Sequence, residues 1–205
     1  MKRIYQVMTI ISAVVVTAVA IPQAQACSDY KTVQGRLLFS PLPPIALPAL
    51  DMPATVDSSG SPSITGMWSI QFISKGNTQH NPPIPDGAVL DFGFGHWHPD
   101  TTEFFNSGGR APSTQNFCMG VWRQTGAGSY QLNHFAYSYD ATSGVLGNSV
   151  DIKELLTLDA SGNSYSGTFS INVYDLNGNQ VDKVTGTIAA ARLTVNSPVP
   201  PVPQP

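Results

Sequence analysis

The clearest signal along the chain is a two-residue alternation. Tyr165, Gly167, Phe169, Ile171 and Val173 alternate with Ser166, Thr168, Ser170, Asn172 and Tyr174, the period that turns one row of a strand inward and the other outward. The run is entered through Asp159-Ala160-Ser161-Gly162-Asn163 and left through Asp175-Leu176-Asn177-Gly178-Asn179, clusters that tolerate positive φ and close hairpins. Further β-rich runs cover residues 65–73, 88–97, 101–105, 117–124, 130–139, 145–158 and 181–195, separated mostly by short Gly, Ser, Asp or Thr segments. No segment holds a helical period. The pattern predicts an all-β domain of about eight antiparallel strands, the number at which an up-and-down barrel closes around side chains or one small ligand.

Outside residues 64–195 the alternation stops. Residues 1–26 carry Lys2 and Arg3, an uncharged apolar run from Met8 to Ile21 and the small residues of Ala24-Gln25-Ala26, the build of an export signal cleaved after Ala26. That run is shorter than the roughly 18 to 20 residues that cross a bilayer, and no later stretch approaches it, so a soluble periplasmic or secreted product without a transmembrane anchor is expected. Cys27 then becomes the mature N-terminus, where a lipoprotein would be acylated; Ala24, in place of the Leu such signals favour, speaks against lipidation. Residues 27–63 contain PLPPIALPALDMP and DSSGSPS, which read as an arm or linker because proline blocks a ladder and Ser and Gly favour open chain. Residues 196–205, rich in proline, should form an extended, disordered tail. The remaining domain is long enough for one core.

Charge and cysteine content narrow the function classes. Removing Lys2 and Arg3 takes the net charge from −3 to −5, and without clustered Lys and Arg the protein is a poor partner for nucleic acid. Two cysteines, Cys27 and Cys118, permit a disulfide in an oxidising compartment that would pin the arm to the domain. The alternative is that Cys118 is simply a small buried hydrophobe.

The first strand contains Gly66-Met67-Trp68 and the last contains Arg192. This pattern resembles the calycins, the lipocalins and their relatives. The resemblance implies that the Trp68 ring and the Arg192 cation stack across the closed end of the barrel. WHPDTTEFFNS, FCMGVWRQTG, YQLNHFAYSYD and SYSGTFSINVYDLNG also resemble uncharacterised exported bacterial lipocalin-like proteins, which supports the fold and implies no activity.

Candidate chemistry lies in GHWHPDTTEF. His96 and His98 are two apart, so on a strand they share a face, with Asp100 and Glu103 following a Pro99 that ends or bends the strand. Imidazole pairs with a carboxylate suit divalent transition metals such as Zn, Fe, Ni or Mn. The spacing also resembles the first motif of the cupins, and that resemblance implies His96, His98, Glu103 and His134 as a metal set. The cupin glycines are misplaced here, and the Pro and Gly before the last His are absent. A second reading needs no metal: Trp97, His98, Asp100, Trp122, Tyr130 and His134 line an interior pocket for a small hydrophobic or amphipathic molecule. No nucleophile elbow, zincin helix, Walker loop or dinucleotide fingerprint occurs. The expectation is thus an exported lipocalin-like binding barrel. The alternatives are an enzyme, either metal-dependent or a cofactor-free isomerase or cyclase, and a structural or protein-binding module.

Overall fold

A computed structural model describes residues 62–203. The expected leader, Cys27, the arm up to residue 61 and the last two residues of the tail lie outside the described residues. Eight strands follow one another: β1 (Gly66–Ser74), β2 (Val89–Trp97), β3 (Thr102–Ser107), β4 (Phe117–Gly126), β5 (Ser129–Tyr139), β6 (Leu146–Leu158), β7 (Ser164–Tyr174) and β8 (Gln180–Leu193). Each pairs antiparallel with its sequence neighbours, and β8 closes on β1, giving an up-and-down barrel. Closure leaves no free sheet edge. Among the described residues the one helical piece is a 3-10 turn at Pro112–Thr114.

The alternation seen in sequence is the inside and outside of this barrel. On β6, Val150, Ile152, Glu154, Leu156 and Leu158 are buried while Lys153, Leu155 and Thr157 face out. The hairpin turns are closed by their acidic residues. Asp159 Oδ1 accepts the N–H groups of Asn163 and Ser164, and Asp175 Oδ1 accepts those of Asn177 and Asn179.

One end of the barrel is sealed by Trp68 and Arg192, which are direct cross-strand partners. The Arg192 guanidinium lies 4.2 Å from the Trp68 ring centroid and donates to the carbonyls of Gly162, Thr65 and Ser63 at 2.6–2.7 Å. Trp68 donates from Nε1 to Ile64 O and packs edge-on against Tyr165. Gly66 is required here: its φ is +125°, and a Cβ would stand 2.8 Å from Arg192 Nη1. Trp97, Trp122 and Tyr130 extend the seal as mutually tilted rings with centroids 5.6–6.3 Å apart.

The opposite end is organised by Asp91, fully buried on β2. It accepts hydrogen bonds from Phe92 N, Ser107 Oγ and Gly109 N, which tie the segment after β3 over the rim. Burial lifts its pKa to about 6, against the lowering effect of Arg110 and these donors.

Candidate functional site

Between the aromatic seal and the Asp91 rim the barrel interior holds three ionisable side chains. Glu103 on β3 and His134 on β5 are both register partners of Gly120 on β4, so all three lie in one transverse row. A Cβ on Gly120 would stand 3.1 Å from Glu103 Oε2 and 2.7 Å from Leu132 Cδ1. The missing side chain lets the carboxylate and the imidazole meet across β4. Glu154 reaches the same ring from β6, where it pairs with Leu132, two residues before His134. His134 Nδ1 lies 3.1 Å from Glu103 Oε2, and Nε2 lies 2.8 Å from Glu154 Oε1. These are ion-pair distances, although neither ring nitrogen has the alignment of a directional hydrogen bond to the carboxylate it faces.

All three groups are dry, at 0–1 % exposed. Burial pushes the Glu103 carboxyl up to about 8, with the positive charge of His134 lowering it and Glu154 raising it further. For His134 burial acts against the charged form, but Glu103 and Glu154 outweigh it and lift the imidazole to about 9. Burial thus favours the neutral form of Glu103, and the two carboxyl groups favour the protonated form of His134. Burial also raises the Tyr165 hydroxyl well above its ordinary value, and Glu154 and Glu103 add to that, which locates Tyr165 in the same electrostatic neighbourhood.

Buried polar atoms in native proteins nearly always have hydrogen-bond partners. Here Glu103 Oε1, Glu154 Oε2 and Ser138 Oγ are buried and make none, while Tyr165 Oη and Trp97 Nε1 face each other without the alignment of a directional hydrogen bond. Acceptors and donors are both represented. Around them stand the rings of Phe72, Phe105 and Phe169, packed edge to face, so a polar centre sits within apolar walls.

The residues expected from sequence fall into two groups. Trp97, Tyr130 and His134 face the interior, and Trp122 packs half-buried at its sealed end, donating to the carbonyls of His98 and Thr102. His98 and Asp100 do not join them. His98 stacks outside the barrel against His96 at 4.0 Å and Phe104 at 5.1 Å. Asp100 is an exposed turn residue that accepts from Thr102 N and Oγ1. The expected metal set is split by the sheet, with His96 and His98 outside and Glu103 and His134 inside. Among the described residues no group of three or more His, Cys, Asp or Glu is arranged to hold a metal ion. Cys118 is fully buried and disulfide-bonded; Cys27, the partner expected for it, lies outside the described residues.

Glu154 and Tyr165 are the interior groups that the sequence reading did not single out. Glu154 carried a signal: it occupies the inward parity of an otherwise apolar row, between Ile152 and Leu156. No family model, curated protein or solved structure matches the chain, so the calycin and cupin likenesses rest on the residues named above alone.

Proposed function

We propose that the protein is an exported, lipocalin-like binding barrel. It takes a small amphipathic molecule into its interior and anchors the molecule's polar group on Glu103, His134 and Glu154. The observation that carries this reading is the pair of buried carboxyl oxygens, Glu103 Oε1 and Glu154 Oε2, left without hydrogen-bond donors beside His134, with the Tyr165 hydroxyl in the same electrostatic neighbourhood. Charged groups buried to this degree are costly, and an apolar filling of the same volume is often as stable or more so, so their presence favours a role in recognition. Glu103 Oε1 and Glu154 Oε2 would accept from a ligand hydroxyl or amine, and Tyr165 Oη would donate to its oxygen. The disulfide state of Cys118 supports export to an oxidising compartment, together with the leader pattern. Native mass spectrometry of the purified protein, followed by solvent extraction, tests the reading. A co-purifying organic molecule that is lost in His134→Leu supports it; an unliganded protein that takes up no small aromatic alcohol or ketone would overturn it.

A second reading, a cofactor-free isomerase or cyclase, is favoured by one observation. Glu103, whose acid form burial favours, and Glu154 contact the two nitrogens of the same buried imidazole, and paired carboxyl groups around an imidazole are an arrangement that proton transfer uses. It is distinguished by whether the extracted molecule is a mixture of isomers that the protein interconverts.

A further inference from the structure

At the barrel end opposite the Trp68 seal the strands are joined by residues 75–88, 108–116, 140–145 and 175–179. Of these connections the first two carry buried residues and cover the end. They are built differently. The cover 75–88 is fixed to β1 and β8 at once. Its Ile84 is fully buried in the core, and Asn77 Nδ2 donates to Ser74 Oγ at 2.9 Å and to Thr185 O at 2.7 Å. Asn77 Oδ1 accepts from Thr185 N at 3.0 Å, and His80 Nε2 meets Asp182 at 2.8 Å.

The strap 108–116 is latched on β2. Gly109 N–H donates to the inward-facing Asp91 Oδ1 at 3.2 Å and Gly108 N–H to Phe92 O at 2.6 Å, so the chain leaving β3 turns in over the rim. A Cβ on Gly109 would stand 2.7 Å from Asp91 Oδ1; the latch depends on bare backbone. Arg110 and Thr114 are buried, and the 3-10 turn lies beside β5. On that strand Ser138 is buried on the same inward face as His134, four residues nearer the strap. Two features leave the closed strap incompletely satisfied. Asp91 Oδ2 is buried and makes no hydrogen bond, and Gln115, where glycine would be at ease, holds φ at +72°. Opening would hydrate the first and relax the second.

We propose that residues 108–116 are the gate of the barrel. Released from Asp91, they lift off the rim while 75–88 stays in place, which opens a route past Ser138 to His134. Local opening of this kind proceeds without unfolding the sheet. The role of gate rests on the binding reading above, because it is a molecule entering the interior that needs it.

The test uses the full exported chain and no ligand, so a failure of the binding reading leaves its outcomes unchanged. The ring N–H protons of His134 exchange with solvent when water reaches the triad, and NMR of histidine-labelled protein reads their rate. Gly109→Ala, which presses the strap off Asp91, should raise that rate several-fold and speed amide exchange across 108–116, with the strand amides and those of His80 and Ile84 unchanged. His80→Ala, which loosens the other cover, should leave the His134 rate alone. In the parent itself the Gly108 and Gly109 amides should exchange several-fold faster than that of Ile84. A His134 rate equal in the parent and in folded Gly109→Ala would overturn the proposal. So would equal acceleration in His80→Ala, which would assign the entrance to 75–88, or parent strap amides as protected as the sheet.

Discussion

Glu103 and His134 sit in one transverse row of the barrel, two strands apart, and meet at 3.1 Å because Gly120 stands between them without a side chain. Gly95 makes similar room on the other side of the same carboxylate, where a Cβ would stand 3.1 Å from Glu103 Oε1. The interior triad is thus built into the register of the sheet.

Gly120→Ala should press on Leu132 Cδ1 and Glu103 Oε2 and lower stability by about 1–3 kcal/mol, the usual effect of overpacking. Urea unfolding measures it. Unchanged stability would mean that the carboxylate is free to move away and the contact with His134 is not held.

Removing one member of the triad differs from removing all three. His134→Ala leaves two carboxyl groups buried without their cation and should destabilise by about 3–5 kcal/mol. The triple variant Glu103→Met, His134→Leu, Glu154→Met should fold with stability close to the parent or above it. If the triple variant is as damaged as the single one, the triad is a structural requirement.

The raised pKa values give stability a definite pH slope. Glu103 keeps its proton in the folded state up to about 8, whereas the unfolded chain releases it near 4.5, so stability falls as pH rises through that window. His134 is lifted from 6.5 to about 9; its contribution is complete below 6.5 and is lost as pH rises through 9. Asp91, lifted from 3.8 to about 6, acts in the same direction at lower pH. The melting temperature should therefore fall from pH 5 to pH 9, and the fall should be smaller in Glu103→Gln, which removes both the Glu103 proton and the largest lift on His134. A melting temperature that rises over this range would contradict the assignment.

The sealed end predicts a graded pair. Trp68→Ala deletes a fully buried ring and should cost about 3–5 kcal/mol. Arg192→Lys keeps the charge but cannot reproduce three fixed donors to Gly162, Thr65 and Ser63, and should be milder yet measurable by calorimetry. Melting temperatures unchanged in both would remove Trp68 and Arg192 as the closure of the barrel.

The strands were legible because each announces itself locally, by apolar parity and by the Asp and Gly of its turns. Which face a residue takes was legible from strand parity. On β2, Trp97 shares inward parity with Gly93 and Gly95, which puts His96 outside, and Glu103, six residues after Trp97, keeps that inward parity on β3. The metal set joined residues of opposite parity. Glu154 could be read as inward from β6 alone, whereas its meeting with His134 depends on the offset between β5 and β6, which no single segment carries.

The central claim is that the triad recognises a ligand. The most direct measurement is the melting temperature of the parent and of Glu103→Met, His134→Leu, Glu154→Met titrated with small aromatic alcohols and ketones. A ligand that binds only the folded state stabilises it by about 2.7 kcal/mol at a hundred times its Kd, so a saturable rise is expected in the parent and none in the folded variant. A rise of equal size in both proteins, or in neither, would contradict the account.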